Sequence, residues 1–185
     1  MSIVPVAFFT NTEEPTMTTA NTLSEQASAA DRHRRKLGVL PFIGPVLFLV
    51  SATLILFDPG DDWQRQLLQN GIVYLIGWAG IGAGISHVFF GRQTAASIGW
   101  DPSPFETEVG FADLAMGVTG LMAASQGTGF WLAVIMVSSI FRIGCGVGHV
   151  RQMISQRDFA PNNTAVLVVD FGVPLFLGLA YLAWV

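Results

Sequence analysis

Charge is what this chain has least of. Asp, Glu, Lys and Arg make up 12% of its 185 residues, about half the roughly 25% of an ordinary soluble domain. Only nine residues are basic and the net charge is -4, so no basic stripe exists to displace the counterions of a phosphate backbone, which excludes nucleic acid as a partner. A single cysteine, Cys145, excludes an intrachain disulfide and leaves the redox compartment open. Strict polar–apolar alternation is absent, which excludes barrel strands. No HExxH or ExxH spacing occurs, so the usual helix-borne metal motifs are missing. No basic segment precedes the short apolar run 3–9, and a cleaved signal peptide is not expected.

What is present instead is apolar length. Hydrophobic residues make up 51% of the chain and the mean hydropathy is +0.53. Five windows, 37–57, 71–90, 105–125, 130–150 and 164–185, each supply the roughly 20 apolar residues that a membrane-crossing helix needs. Turn-forming breaks separate them: Asp58-Pro59-Gly60-Asp61-Asp62, Gly99 to Pro104, Gln126 to Gly129, and Asp158 to Asn163. The expected fold is all-α, a polytopic transmembrane bundle of five helices. Seven of the nine basic residues (Arg32, Arg34, Arg35, Lys36, Arg92, Arg151 and Arg157) fall on one side of such a bundle. That asymmetry places the amino terminus in the cytoplasm and the carboxyl terminus outside, in a bacterial inner (plasma) membrane. Residues 1–36, rich in Thr, Ser, Ala and Asn, read as a disordered cytoplasmic tail, and Met17 competes with Met1 as the start.

The last four helices repeat themselves. Gly82-Ala83-Gly84-Ile85-Ser86-His87-Val88 returns as Gly144-Cys145-Gly146-Val147-Gly148-His149-Val150. Asp101, Pro104, Thr107, Val109 and Asp113 return as Asp158, Pro161, Thr164, Val166 and Asp170 with every spacing kept. Residues 71–185 are therefore expected to form a duplicated helical hairpin, with 37–57 as an accessory helix outside the duplication. Both hairpins start on the same side, so an axis along the membrane normal relates them. Gly77, Gly80, Gly84 and His87 share one helical face, and Glu106, Asp113, Gly117, Gly120 and Ala124 share another. Small residues on such faces let helices approach closely, a role also expected of Gly144 and Gly148.

Ionisable groups inside apolar helices cost about 2.5–3.5 kcal/mol each at mid-bilayer on insertion scales, so they need partners or water. The candidates for binding or proton relay are His87, Glu106, Asp113, Arg142, His149 and Asp170. Arg142 stands seven residues from His149, about 10 Å of helix, and Asp113 stands seven from Glu106 on an antiparallel helix. Two tiers result: Asp113, Asp170 and Arg142 deeper, His87, His149 and Glu106 at the mouth. The repeat diverges at these positions, since Arg142 matches Gly80 and Glu106 matches Asn163. An ion pair of Arg142 with Asp113 or Asp170 is expected. It fixes helix register in one reading and serves a ligand or protons in another. His87, His149 and Glu106 are the residues available to a metal, and the two histidines to haem, but no spacing favours either, and no cofactor is assigned. The five tryptophans are expected at the boundaries, as an aromatic belt. Cys145 reads as a small packing residue.

The string Ser103-Pro104-Phe105-Glu106-Thr107-Glu108-Val109-Gly110-Phe111-Ala112-Asp113, with Ser86-His87-Val88-Phe89-Phe90, Gly148-His149 and the Asn163–Pro174 segment, resembles an uncharacterised family of small prokaryotic multipass membrane proteins. The resemblance covers roughly 71–185 and implies a membrane fold without an assigned activity. In size and helix count the chain is also similar to DoxX-like four-helix membrane proteins, some of them linked to quinones. The function expected is a polar site in the cytoplasmic half of the bundle that binds a small molecule or relays protons. The alternatives are a noncatalytic accessory or assembly subunit, or a haem- or quinone-linked oxidoreductase. The lipid bilayer is the expected partner, with a second copy or a membrane subunit beside it.

Overall fold

The computed structural model describes residues 42–185, so the expected tail and the first residues of the expected first helix lie outside the described part. Among the described residues the chain is all helical, with five helical bodies and no strand. They are α1 (Ile43–Phe57), α2 (Trp63–Ile98), α3 (Glu106–Met122), α4 (Thr128–Gln156) and α5 (Pro161–Trp184). Three of them, α2, α4 and α5, are long and apolar enough to cross a membrane.

Their ends follow local chemistry. α1 stops at Asp58, which precedes Pro59 and is steered out of the helical region. α2 ends on Gly99 at φ 83°, where the amide of Trp100 bonds Ala95 O (3.0 Å) and that of Gly99 bonds Ala96 O (3.4 Å). This double closure needs a left-handed residue, hence glycine. α5 opens on Pro161 at its first turn, where the missing N–H is no loss.

Two helices run longer than their apolar windows. α2 begins at Trp63, eight residues before the apolar run, because its polar first turns find partners. Arg65 lies over the Trp131 ring at 5.0 Å. Gln69 donates to the carbonyls of Ala123 (3.2 Å) and Ala124 (3.0 Å) at the end of α3. Asn70 donates to Ser51 Oγ of α1 (2.6 Å). α4 continues through Arg151 to Gln156 before Arg157 turns left-handed at φ 55°. α2 is also irregular in two places. Residues Ile72–Trp78 form a π-helical stretch, and Phe90 leaves helical geometry at φ -133°, ψ 29°. Across the second irregularity the Thr94 hydroxyl donates to Ser86 O (3.0 Å), an insertion into the ladder of the kind that kinks helices.

Packing divides the bundle into a dry end and a polar end. At the dry end Leu68, Ile72, Ile76, Ile135, Val173 and Leu177 surround Trp131. Trp131 is only 1% exposed and its indole donates to Ala123 O (2.9 Å). Trp131 is thus part of the core, while Trp100, half-buried in the loop just after α2, stacks on the imidazole of His149. α2 and α3 meet through glycines. A Cβ at Gly80 would sit 2.9 Å from Gly117, and one at Gly120 would sit 2.5 Å from the Gly77 backbone, so the two glycine faces expected from the sequence do touch. The matching expectation for α4 is corrected. Gly144 has nothing within 4 Å and Gly148 only Trp100 at 3.9 Å, while Gly146 is the glycine pressed against Phe171 and Asp170.

Candidate functional site

At the polar end, next to the loop between α2 and α3, lies a cavity of about 520 Å³. All six ionisable candidates, His87, Glu106, Asp113, Arg142, His149 and Asp170, line it. Its other walls are mainly apolar and aromatic, including Trp100, Phe105 and Phe141. Such a space, apolar with a few convergent polar groups, has the size and character of a small-molecule pocket.

The two histidines sit in matched settings. His87 Nδ1 lies 2.7 Å from Glu106 Oε2, and His149 Nδ1 lies 2.7 Å from Asn163 Oδ1. Glu106 and Asn163 are the residues that the sequence match aligns, so the bond is kept while the acceptor changes from carboxylate to amide. The Asn163 amide nitrogen donates to Asp158 O (3.0 Å), which turns its oxygen towards His149. His149 Nδ1 is therefore the donor in this bond. Trp100 covers the same imidazole at 4.9 Å between ring centroids. Both helices run on past their histidines, to Ile98 and Gln156. That is about 16 Å and 10 Å of helix at 1.5 Å per residue, while Glu106, the partner of His87, is the first residue of α3.

Arg142 is held twice. Its Nη2 donates to Leu75 O (2.9 Å), a carbonyl of the π-helical stretch of α2, and its Nη1 lies 3.8 Å from Asp170 Oδ1. Of the two aspartates expected as partner, Asp170 takes the role, at the loose end of ion-pair distance. Asp170 is 4% exposed, and its second carboxylate oxygen has no hydrogen-bond partner among the described residues. Asp113 lies within electrostatic range of His87, Arg142 and Asp170, yet among the described residues it makes no hydrogen bond or ion pair. Glu108 is exposed and does not line the cavity.

A metal held by His87, His149 and Glu106 does not fit. Among the described residues no cluster of three His, Cys, Asp or Glu side chains suits a metal ion. Cys145, expected as a small packing residue, lines the cavity and is partly exposed. The sequence reading missed Trp100 and Asp158. Asp158 holds Ala160 N (3.0 Å) through its side chain and closes against Gly99, where a Cβ would lie 2.6 Å from its carboxylate. The signal for Asp158 was its match to Asp101; for Trp100 there was none.

A model of a family described as Family of unknown function (DUF6790) matches residues 37–185, and the chain belongs to that family. This agrees with the resemblance to an uncharacterised family. No curated protein and no solved structure matches the chain.

Proposed function

We propose that this member of a family without an assigned activity is a multipass membrane protein whose cavity binds a small molecule with an apolar body and a polar head. The membrane reading is supported by the three long apolar helices and by large side chains left on the outside, such as Ile140 (72% exposed) and Leu182 (81%). In water such a surface is an aggregation hazard; in lipid it is the expected exterior. The orientation, amino terminus in the cytoplasm, rests on the basic residues and puts the cavity's loop, residues 99–105, on the cytoplasmic side. Duplication of the α2–α3 and α4–α5 hairpins is supported by the two imidazole bonds of 2.7 Å at matched positions. It is further supported by matched glycines, Gly84 against Leu114 and Gly146 against Phe171.

The observation that carries the binding role is the convergence of six ionisable groups on one cavity of about 520 Å³ with mainly apolar walls. A bundle that used its charges only to lock helices would close them into pairs, and Asp113 is not so closed. The test is mass spectrometry of small molecules extracted from the purified full chain, alongside an Ala83→Trp variant that fills the cavity. A small molecule retained by the wild type and lost from the folded filled variant is the expected result. Identical extracts from both would instead favour the accessory-subunit reading.

A further inference from the structure

We propose that the ligand of this cavity is an organic cation, a molecule carrying one ammonium-type charge on an apolar body, seated against Asp113. The inference rests on the small-molecule reading above and adds the sign of the ligand's charge. Four carboxylates, Asp101, Glu106, Asp113 and Asp170, line the cavity against one guanidinium, Arg142, leaving three negative charges when the carboxylates are ionised and the imidazoles neutral. Two of the four are engaged, Glu106 by His87 at 2.7 Å and Asp170 by Arg142 at 3.8 Å, and Asp101 is exposed in the loop after α2. Arg142 is itself engaged by Leu75 O, so it has less to offer an anionic ligand than its charge suggests. Asp113 remains as the helix-borne carboxylate that is half-buried in the cavity and makes no hydrogen bond or ion pair among the described residues.

Two further observations point the same way. Asp170, more than nine-tenths buried, keeps one carboxylate oxygen without a partner, so the acidic demand extends beyond Asp113. The walls include Trp100 and Phe141, and aromatic faces attract ammonium groups while also accepting apolar bodies. An anion would meet three carboxylates that Arg142 does not neutralise. A neutral ligand would cover Asp113 without pairing it, the costly outcome for a charge taken out of water.

The test uses the full chain in lipid nanodiscs, with empty nanodiscs subtracted, and three probes of one shape class: benzyltrimethylammonium, its neutral carbon isostere neopentylbenzene, and the anion phenylacetate. Titration calorimetry is expected to give saturable binding of the cation, at least tenfold weaker binding of the neutral isostere, and weakest binding of the anion. Asp113→Asn should cut affinity for the cation at least tenfold, whereas Glu108→Gln, on the exposed face, should leave it unchanged. The comparison of probes on the wild-type chain needs no variant to fold. Equal binding of cation and neutral isostere, or an unchanged affinity in folded Asp113→Asn, overturns the cation assignment while leaving the cavity as a binding site. Preference for the anion overturns it in favour of Arg142 as host. If no probe binds, the cation assignment fails, and the Ala83→Trp extraction experiment separately decides whether the cavity binds anything.

Discussion

Each ionisable side chain in this bundle is defined by what, if anything, answers its charge. Arg142 bridges Leu75 O and Asp170, and removing one member of a buried pair strands the other, which costs about 3 kcal/mol or more. Arg142→Met is therefore expected to lower the melting temperature in detergent sharply, and Asp170→Asn added to it should restore most of the loss. Equal, additive losses in the double variant would show the two residues to be uncoupled. Asn163 holds His149 and Asp158 at once while fully buried. Asn163→Leu leaves the buried His149 unmet and frees the half-buried Asp158 O, so a loss of about 1–3 kcal/mol is expected, read as a lower unfolding midpoint. Asn163→Asp should lose less, because a carboxylate still accepts from His149. At this scale the sequence was informative about identity and silent about pairing. The six candidates were visible as charges inside apolar runs. That Asp170 and not Asp113 meets Arg142 depends on how α4 and α5 are rotated, and composition does not encode rotation. The cavity role of Trp100 was not legible, because an aromatic residue near a helix end fits both a membrane boundary and a cavity wall.

The helices themselves show which sequence signals carry length and which carry contact. Apolar windows located all five bodies, and Gly99, Pro59 and Pro161 marked ends correctly, since each acts on its own backbone. The start of α2 at Trp63 was hidden because Arg65, Gln69 and Asn70 look like loop residues until Trp131, Ala123 and Ser51 are brought to them. The π-helical stretch and the Phe90 kink had no signature that periodicity could expose. Glycine contacts divide in the same manner. Gly117→Ala would put a Cβ 2.7 Å from the Ile81 amide on the facing helix, and overpacking against backbone costs about 1–3 kcal/mol. Gly144 has open space around it, and alanine there gains about 1 kcal/mol of helix propensity. Thermal melts in one detergent should show Gly117→Ala lowered and Gly144→Ala unchanged or raised. The reverse order would mean that α2 and α3 are not packed as described.

For the molecule as a whole, the proposed arrangement is a bilayer-embedded pair of like hairpins around one polar cavity, with the dry cluster about Trp131 at the far end. Those two ends differ in chemistry, so the two sides of the membrane should differ in access. Ser97 lines the cavity and is partly exposed, which makes it a reporter of the side to which the cavity opens. The decisive measurement is labelling of Ser97→Cys, in a Cys145→Ala background, by a membrane-impermeant charged thiol reagent, in intact cells and in inverted membrane vesicles. Modification in inverted vesicles and protection in intact cells is the predicted result. Modification from the outside, or release of the protein from the membrane by alkaline carbonate, would contradict it.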